Sequence, residues 1–487
     1  MSGRLNFEYG FNTNTAQLLD DDTPMRVYFL GDFTGTKAAT ENSSINKIVK
    51  IDIDNFDDVM VKLSPSVSLP SGHFLTFNEL EDFHPDNIFE HAIFKNLRRL
   101  KRELNNSTTA ENAAKEIVSS YQLNSESSPQ VNDDNHRIDP ASKETEDNSD
   151  ENKDEVFERL LGQKQSTPIS STTTTTSNAQ TIGNLDRFLG ELLSPHIIKD
   201  MEPKHKSLIM FIDTALEELM KSILHAREFQ TLESAWRSVR DVVFNETYNE
   251  ANQFFYLVNT DRDALNSAVA GDSSFVTKLN QHIKNTDVES YHLLVGNYQF
   301  SATKSDVCAL NYLATIAETL NCQFMGAADD SLIDANTDSL WQKFRQIPQA
   351  SHIALSYPQV LLRLPYGKQH DEIDAFSFEE FSQRHQHHQL LWGNSAFACA
   401  RLLIRQYHAE VNSQENGKTK FDVNITELPA FVYSEDGEKK LQACGEYLLS
   451  EQQLIDIRNQ GVMVFASYRN KNCIRLFGDG IYAVNTQ

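Results

Sequence analysis

The sequence lacks several features that mark common functional classes. It has no run of about 18 apolar residues, so no membrane-spanning helix is expected. Its start has no basic stretch followed by an apolar stretch, so no secretory signal is expected. Five cysteines occur among 487 residues, and none forms a CxxC pair. This spacing predicts reduced thiols in a cytoplasmic protein and neither a disulfide framework nor a zinc site.

Positive charge is also scarce. The chain has 44 Lys and Arg against 69 Asp and Glu, a formal net charge of −25. This balance argues against nucleic acid or an anionic membrane as the main partner, because both attract Lys and Arg. The sequence contains neither a Walker A loop nor a Gly-x-Gly-x-x-Gly motif, so no nucleotide site is predicted. We expect no cofactor, no metal and no small-molecule substrate.

The acidity is concentrated in the middle of the chain. Residues 121–160 hold 12 acidic and 4 basic side chains, a net of −8, and residues 166–177 are mostly Ser and Thr. Such a segment buries too little apolar surface to offset the entropy lost on ordering. We therefore predict a disordered linker over 121–181. It separates a small domain at 1–120 from a larger domain at 182–487.

The N-terminal part is typical of a small α+β unit. Strand patterns cover 26–30, 47–53 and 73–77. Asn55 stands where it can cap a helix whose buried face begins with Phe56. Pro85 opens a further helix, where its missing N–H costs nothing.

Three motifs of this part resemble the small subunit of the type VI secretion contractile sheath. They are Phe-Leu-Gly-Asp-Phe-Thr-Gly at 29–35, Ile-Asp-x-Asp-Asn-Phe-Asp-Asp-Val at 51–59 and Leu-Glu-Asp-Phe-His-Pro-Asp at 80–86. The resemblance marks Asp32, Asn55, Phe56, Phe83, His84 and Pro85 as structural or interaction residues.

Strand and helix patterns alternate in the C-terminal part, which predicts an α/β domain with a mostly parallel sheet. The helix patterns cover 207–225, 306–320 and 341–344. The strand patterns cover 291–295, 324–328, 352–356, 430–433, 462–466 and 473–477. A further helix is predicted after Trp392-Gly393-Asn394.

This part resembles the large subunit of the same sheath, because matching motifs follow the same order over about 185–480. The family usually has Asp where this chain has Asn297. The resemblance marks further structural or interaction residues: Trp236, Arg237, Gly296, Tyr298, Arg345, Arg363, Pro365, Tyr366, Gly367, Trp392, Gly393 and Asn394.

The resemblance implies a structural subunit of a contractile sheath, with small- and large-subunit cores fused in one chain. Its partners would be other sheath subunits, an inner-tube protein and baseplate components, and no enzyme activity is expected. Both cores end earlier than the family pattern. A second interpretation is therefore a sheath-like cap, baseplate adaptor or assembly regulator that does not polymerise. A third, from another class, is a cytosolic enzyme with an unrecognised pocket.

A few residues suggest local chemistry. The pattern His385-x-His387-His388 could bind a metal, although a polar loop is the commoner outcome. Asp329-Asp330 is typical of a helix cap. We also expect three arginines to form buried ion pairs with Glu233 or Glu379: Arg237, Arg345 and Arg363.

Overall fold

The computed structural model describes residues 23–35, 47–69, 71–122, 205–272, 274–284, 290–334, 339–381, 387–412, 422–435, 437–468, 471–478 and 480–485. Beyond Gln122, the predicted linker lies outside these residues, as does His385.

Fifteen strands occur in the described residues. They are β1 (Met25–Gly31), β2 (Ile48–Ile51), β3 (Ser66–Ser68), β4 (Phe74–Thr76), β5 (Gln253–Asn259), β6 (Tyr291–Phe300), β7 (Gln323–Ala328), β8 (Ile353–Tyr357), β9 (Val360–Leu361), β10 (Trp392–Gly393), β11 (Asn424–Thr426), β12 (Phe431–Glu435), β13 (Glu438–Gln442), β14 (Met463–Ser467) and β15 (Cys473–Leu476).

Thirteen α-helices accompany them in the same residues. They are α1 (Phe56–Leu63), α2 (Pro85–Phe89), α3 (Lys95–Leu104), α4 (Ala110–Gln122), α5 (His205–Leu224), α6 (Arg227–Asn245), α7 (Arg262–Val269), α8 (Ser274–Lys284), α9 (Lys304–Thr319), α10 (Asp330–Ile333), α11 (Leu340–Arg345), α12 (Ser395–Asn412) and α13 (Glu451–Asn459). Across the described residues, every helix is too short or too polar to cross a membrane.

Nine strands form one sheet in the order β11-β15-β14-β8-β7-β6-β1-β5-β2. The strands from β14 through β8, β7, β6 and β1 to β5 pair in parallel. At the two ends, β2, β15 and β11 pair antiparallel to their neighbours. The predicted mixed α/β class with a mostly parallel sheet is therefore confirmed.

The position of β1 is the main feature that the sequence patterns do not show. This strand, from the start of the chain, lies between β5 and β6, more than 220 residues further on. Six of its seven residues are buried, as expected for a strand covered on both faces. The N-terminal part therefore contributes β1 and β2 to the same sheet as the C-terminal part.

The helix patterns predicted from periodicity are confirmed where they are described. Helix α1 buries Phe56, Val59, Met60 and Leu63. The stripe of α5 that begins at Leu208 is buried as well. Helices α9 and α12 both pack on β6, β7 and β8, so apolar helix faces cover the middle of the sheet.

Contacts divide the chain into two compact units, one of residues 1–101 and 210–487 and one of residues 102–209. The described part of the first unit consists of two stretches, the N-terminal segment (residues 23–101) and the C-terminal segment (residues 210–485).

Candidate functional site

The two segments meet first along β1. Its seven residues align with β5 from Met25 opposite Gln253 to Gly31 opposite Asn259. On its other side, six residues align with β6. Arg26 strengthens this junction, because its guanidinium donates to the Tyr256 hydroxyl at 2.9 Å. The N-terminal segment thus supplies a strand that the sheet of the C-terminal segment needs for continuity.

The turn after β1 fits against α6. Asp32 Oδ1 accepts hydrogen bonds from the Thr34 and Gly35 amides at 2.9 and 2.8 Å, which closes the turn. The turn exposes the Phe33 carbonyl to Trp236, whose indole Nε1–H donates to it at 3.1 Å. The Trp236 ring also meets the Phe56 ring edge to face, with centroids 5.7 Å apart. Trp236 is fully buried and packs between the two segments.

Asn55 stands at the predicted position before α1, but its side chain does not cap the helix. Its Oδ1 accepts from the Asp52 amide at 2.9 Å, and Asp52 Oδ1 accepts from the Asn55 amide at 3.1 Å. The prediction that the Asn55 side chain caps α1 is therefore wrong, because that side chain binds Asp52 in the preceding turn instead.

The Phe-His-Pro-Asp motif docks on the loop between β9 and β10. Phe83 packs on Phe229 of α6, with ring centroids 5.6 Å apart. His84 caps α2 by accepting from an amide, and Pro85 occupies the first position of that helix. The His84 ring meets the Tyr366 ring edge to face at 5.0 Å. Each of these residues thus either builds α2 or contacts the C-terminal segment.

Asp86 makes the most specific contact across this junction. Its carboxylate accepts the backbone N–H of Asp374 at 3.0 Å and that of Ala375 at 2.8 Å. One turn later, the Phe89 ring packs on the Phe376 ring at 4.9 Å. Helix α2 therefore holds this loop through two side chains, the Asp86 carboxylate and the Phe89 ring.

A buried ionic cluster supports this loop from below. Arg363 donates to Glu380 Oε2 at 2.8 Å and to Glu233 Oε1 at 3.2 Å, and its guanidinium lies 4.2 Å from the centre of the Tyr366 ring. Arg237 donates to the same Glu233 oxygen at 2.7 Å. The predicted pairing with Glu233 is confirmed for both arginines.

Two further expectations about ion pairs are corrected. The second partner of Arg363 is Glu380 and not Glu379, because Glu380 points inward while Glu379 Oε1 accepts from the Lys368 amide. Arg345 binds carbonyl groups, donating to Val484 O at 2.6 Å and to Asn459 O at 3.0 Å. It therefore ties chain segments together through backbone acceptors.

Electrostatics keep the cluster ionised. Burial acts to raise the pKa of the Glu380 carboxyl, but Arg363 and His225 outweigh it and lower that pKa to about 2. His225 Nε2 lies 3.3 Å from Glu380 Oε1. The carboxylates in turn raise the pKa of Arg363 against the opposing effect of burial. Sequence reasoning missed His225 and Glu380 as members of this site.

Glycine is required at two places around the loop. Gly367 has a φ of 150°, and a Cβ there would lie 2.3 Å from Glu379 Oε2. A Cβ on Gly393 would lie 2.6 Å from Leu362 Cδ2. Side chains at these positions would push the loop away from its neighbours. Pro365, between Arg363 and Gly367, is buried with them.

The remaining predicted residues gather at the carboxyl ends of the parallel strands. Tyr298 donates its hydroxyl to Thr260 O at 2.6 Å, and Asn394 Nδ2 donates to Tyr298 O at 3.0 Å. Gly296 lies earlier in the same strand, against Phe324. Trp392 donates from its indole to His387 O at 2.9 Å. Two motifs that are far apart in sequence thus meet here.

Tyr298, His387, Trp392 and Asn394 line a groove of about 810 Å³. Within it, Arg262 is paired with Asp306. Burial raises the pKa of the Glu446 carboxyl, and the nearby Asp330 adds to that rise while His387 opposes it. His387 Nε2 contacts Glu446 O at 3.0 Å. Among the described residues, no cluster of His, Cys, Asp or Glu has the arrangement of a metal site.

Asp329 behaves as its sequence predicts. Its Oδ1 accepts from the Ser331 amide at 2.9 Å and so caps α10. Asp330 accepts from the Tyr357 hydroxyl at 2.9 Å. Both carboxylates therefore have local structural partners.

Comparison with known families agrees with this arrangement. Residues 206–340 and 335–480 match the VipB family, described as EvpB/VC_A0108, tail sheath N-terminal domain. Residues 2–130 match the family described as type VI secretion system, VipA, VC_A0107 or Hcp2. The type VI secretion system sheath protein TssC1 of Pseudomonas aeruginosa is 25% identical over 319 residues. That alignment covers 59% of this chain and 62% of the relative.

An α/β body whose sheet is completed by a separate N-terminal strand, with matches to both sheath families, defines a sheath-type structural protein. The chain belongs to the type VI secretion sheath family, with a VipA-like region and a VipB-like region in one polypeptide.

Proposed function

We propose that the chain is a structural subunit of a type VI contractile sheath or sheath-like assembly in the cytoplasm, surrounding an inner tube. Its partners are other sheath subunits, the inner-tube protein and baseplate components. The observation that carries the proposal is the insertion of β1 between β5 and β6. This insertion joins in one sheet the two regions that match the VipA and VipB families.

The ionic cluster and the aromatic contacts suit this role. A subunit that passes between two lattice packings must move as a rigid body, because a flexible subunit would deform and would not transmit the movement to its neighbours. Buried, fully paired charges at Arg363 and Glu380 favour one arrangement of the docked loop, since breaking either partner leaves an unpaired buried charge. The same cluster fixes where Tyr366 meets the N-terminal segment.

Electron microscopy tests the proposal. The full-length chain would be purified alone and after co-expression with an inner-tube partner, then viewed in negative stain. Long striated cylinders are the expected result. Phe29→Asp serves as the matched control, because a buried charge in β1 should prevent the paired body and abolish the cylinders. Monomers or small closed complexes from the unmodified chain would instead support a cap, adaptor or regulator.

A further inference from the structure

Four parallel strands end at the groove of about 810 Å³. Each contributes lining residues at or just after its end: Arg262 after β5, Asn297 and Gln299 in β6, Asp329 after β7 and Gln359 after β8. We propose that this groove is a binding site for an uncharged carbohydrate, a ligand with several hydroxyl groups and a flat C–H face. The sequence patterns do not predict such a ligand, because the residues that line the groove lie far apart in the chain.

The topology of the sheet places a crevice here. The next parallel strand after β1 in the chain is β5, on one side of β1, whereas the next after β6 is β7, on the opposite side of β6. In open parallel sheets, ligands bind outside the carboxyl ends of the strands where the strand order reverses in this way. β1 pairs with β6 as far as Leu30 opposite Gly296, while β6 continues to Phe300. The end of β6 therefore extends past β1 and borders the groove.

A bulge in β6 lies at the groove. Val295 stands opposite Met325 of β7 and Gln299 stands opposite Ala327, so four steps along β6 match two steps along β7. Bulges re-aim side chains and are frequent beside binding sites. This bulge contains Asn297, and both Asn297 and Gln299 line the groove.

Three amide side chains of the groove are available to a ligand. Within the part of the chain that the structure describes, the side chains of Asn297, Gln299 and Gln359 make no hydrogen bond. An amide donates from its NH₂ group and accepts at its oxygen, so one side chain can bind two neighbouring hydroxyl groups of a sugar. Asn394 is already occupied, since it donates to Tyr298 O. The three available amides therefore provide donors and acceptors without charge.

Aromatic rings supply a complementary flat surface. The His387 ring lies 5.0 Å from the Trp392 ring and 5.5 Å from the Tyr447 ring, and all three residues line the groove. The face of an aromatic ring carries partial negative charge, which attracts the C–H groups of a sugar ring. Aromatic rings next to available amides are thus the combination that binds a carbohydrate.

The charges of the groove argue against an ionic ligand. Its lining has two arginines and three carboxylates, so it offers no excess of positive charge to a phosphate group. Arg262 is paired with Asp306, and Asp329 caps α10. Burial holds the pKa of the Glu446 carboxyl above its ordinary value, so a negative charge there is disfavoured. The groups that remain for a ligand are mostly neutral.

Tryptophan fluorescence can report binding at this groove. The chain has three tryptophans, of which Trp236 and Trp341 are fully buried, while Trp392 is half-buried and lines the groove. The full-length chain is titrated with maltose, cellobiose and N-acetylated chitobiose while acrylamide quenching of the emission is recorded. At least one sugar should protect Trp392 from quenching in a saturable way, with a dissociation constant of about 1 mM or below. Trp392→Phe should remove that response.

Substitutions of the amides test where the sugar binds. Gln299→Ala and Gln359→Ala should each weaken binding of that sugar about two- to tenfold, since each variant loses a hydrogen bond to it. Gln452→Ala is the matched control, because Gln452 is exposed on α13 and does not line the groove. It should leave the dissociation constant unchanged. Circular dichroism checks that every variant is folded.

Two other probes, inorganic phosphate and N-acetylalanine amide, represent anions and peptides in the same titration. Saturation by either probe without a response to any sugar would overturn the inference, as would the absence of a saturable response to every ligand. Equal sugar binding by Gln299→Ala, Gln359→Ala and Gln452→Ala would overturn it too, because the sugar would then bind elsewhere. The measurement uses the unassembled chain, so its outcome does not depend on the formation of cylinders.

Discussion

At the scale of single residues, Asp86 joins the segments through two backbone amides. Its replacement by Ala should lower the free energy of unfolding by about 1–2 kcal/mol, because hydrogen bonds to charged groups are stronger than neutral ones. Urea denaturation measures the change. Glu81→Ala, an exposed neighbour in the same motif, is the control and should change stability by less than about 0.5 kcal/mol. Equal effects would contradict the assigned contact.

Replacement of Glu380 should lower the free energy of unfolding more than replacement of Asp86, since Glu380 is buried and pairs with Arg363. Glu380→Gln removes one partner of a buried pair, which typically costs about 3–5 kcal/mol. Glu379→Gln, one residue away, should cost less than about 1 kcal/mol, because its oxygen meets an amide at the loop surface. Thermal and urea unfolding compare the two. A larger loss at Glu379 would show that the inward carboxylate has been misassigned.

The cluster also predicts an acid dependence of stability. The pKa of Glu380 is lowered from about 4.5 to about 2 in the folded chain. The unfolded chain therefore binds the proton first, and the contribution of Glu380 is present above pH 4.5 and is lost as pH falls from there towards 2. Glu380→Gln should flatten this part of the stability curve. An unchanged slope in the variant would contradict the lowered pKa.

At the scale of elements, β1 should be the most sensitive strand of the N-terminal segment. The Phe29 ring stacks on Phe255 at 5.9 Å and on Phe397 at 5.6 Å. Phe29→Ala should cost about 3–5 kcal/mol in urea denaturation, as for other buried Phe side chains. Phe74 in β4 is 46% exposed. Phe74→Ala should cost under about 1 kcal/mol, and similar losses at both sites would argue against a buried β1.

Most individual elements could be predicted from the sequence, because periodicity is local. The strand pattern at 26–30 and the helix pattern at 207–225 correspond to β1 and α5. β5 was missed, although the apolar run Phe254–Val258 carries a strand signal. The pairing of β1 with β5 and β6 has no local signal, since the partners lie more than 220 residues away. The sequence does not show that Arg363 pairs with Glu380 and not with Glu379 for a related reason. The two glutamates lie in an irregular loop, where no periodic pattern tells which side chain points inward.

At the scale of the whole molecule, the net charge of −25 is spread unevenly along the chain. The predicted linker carries 8 of the 25 excess negative charges over residues 121–160. Within the first unit, buried opposite charges are paired in the loop that the N-terminal segment contacts, as Arg363 and Glu380 show. The net charge therefore describes solubility and repulsion between copies more than it describes a binding face. Assembly should accordingly strengthen with added salt, which screens that repulsion.

The central claim is that β1 is an interior strand of a sheet made by both segments. Hydrogen–deuterium exchange on the full-length chain tests it directly, with peptides covering Met25–Gly31 and Tyr291–Phe300 compared in one experiment. Interior strands open only with the global unfolding of the unit. The account predicts that the β1 amides exchange as slowly as those of β6. Rapid exchange of β1 beside a protected β6 would contradict it.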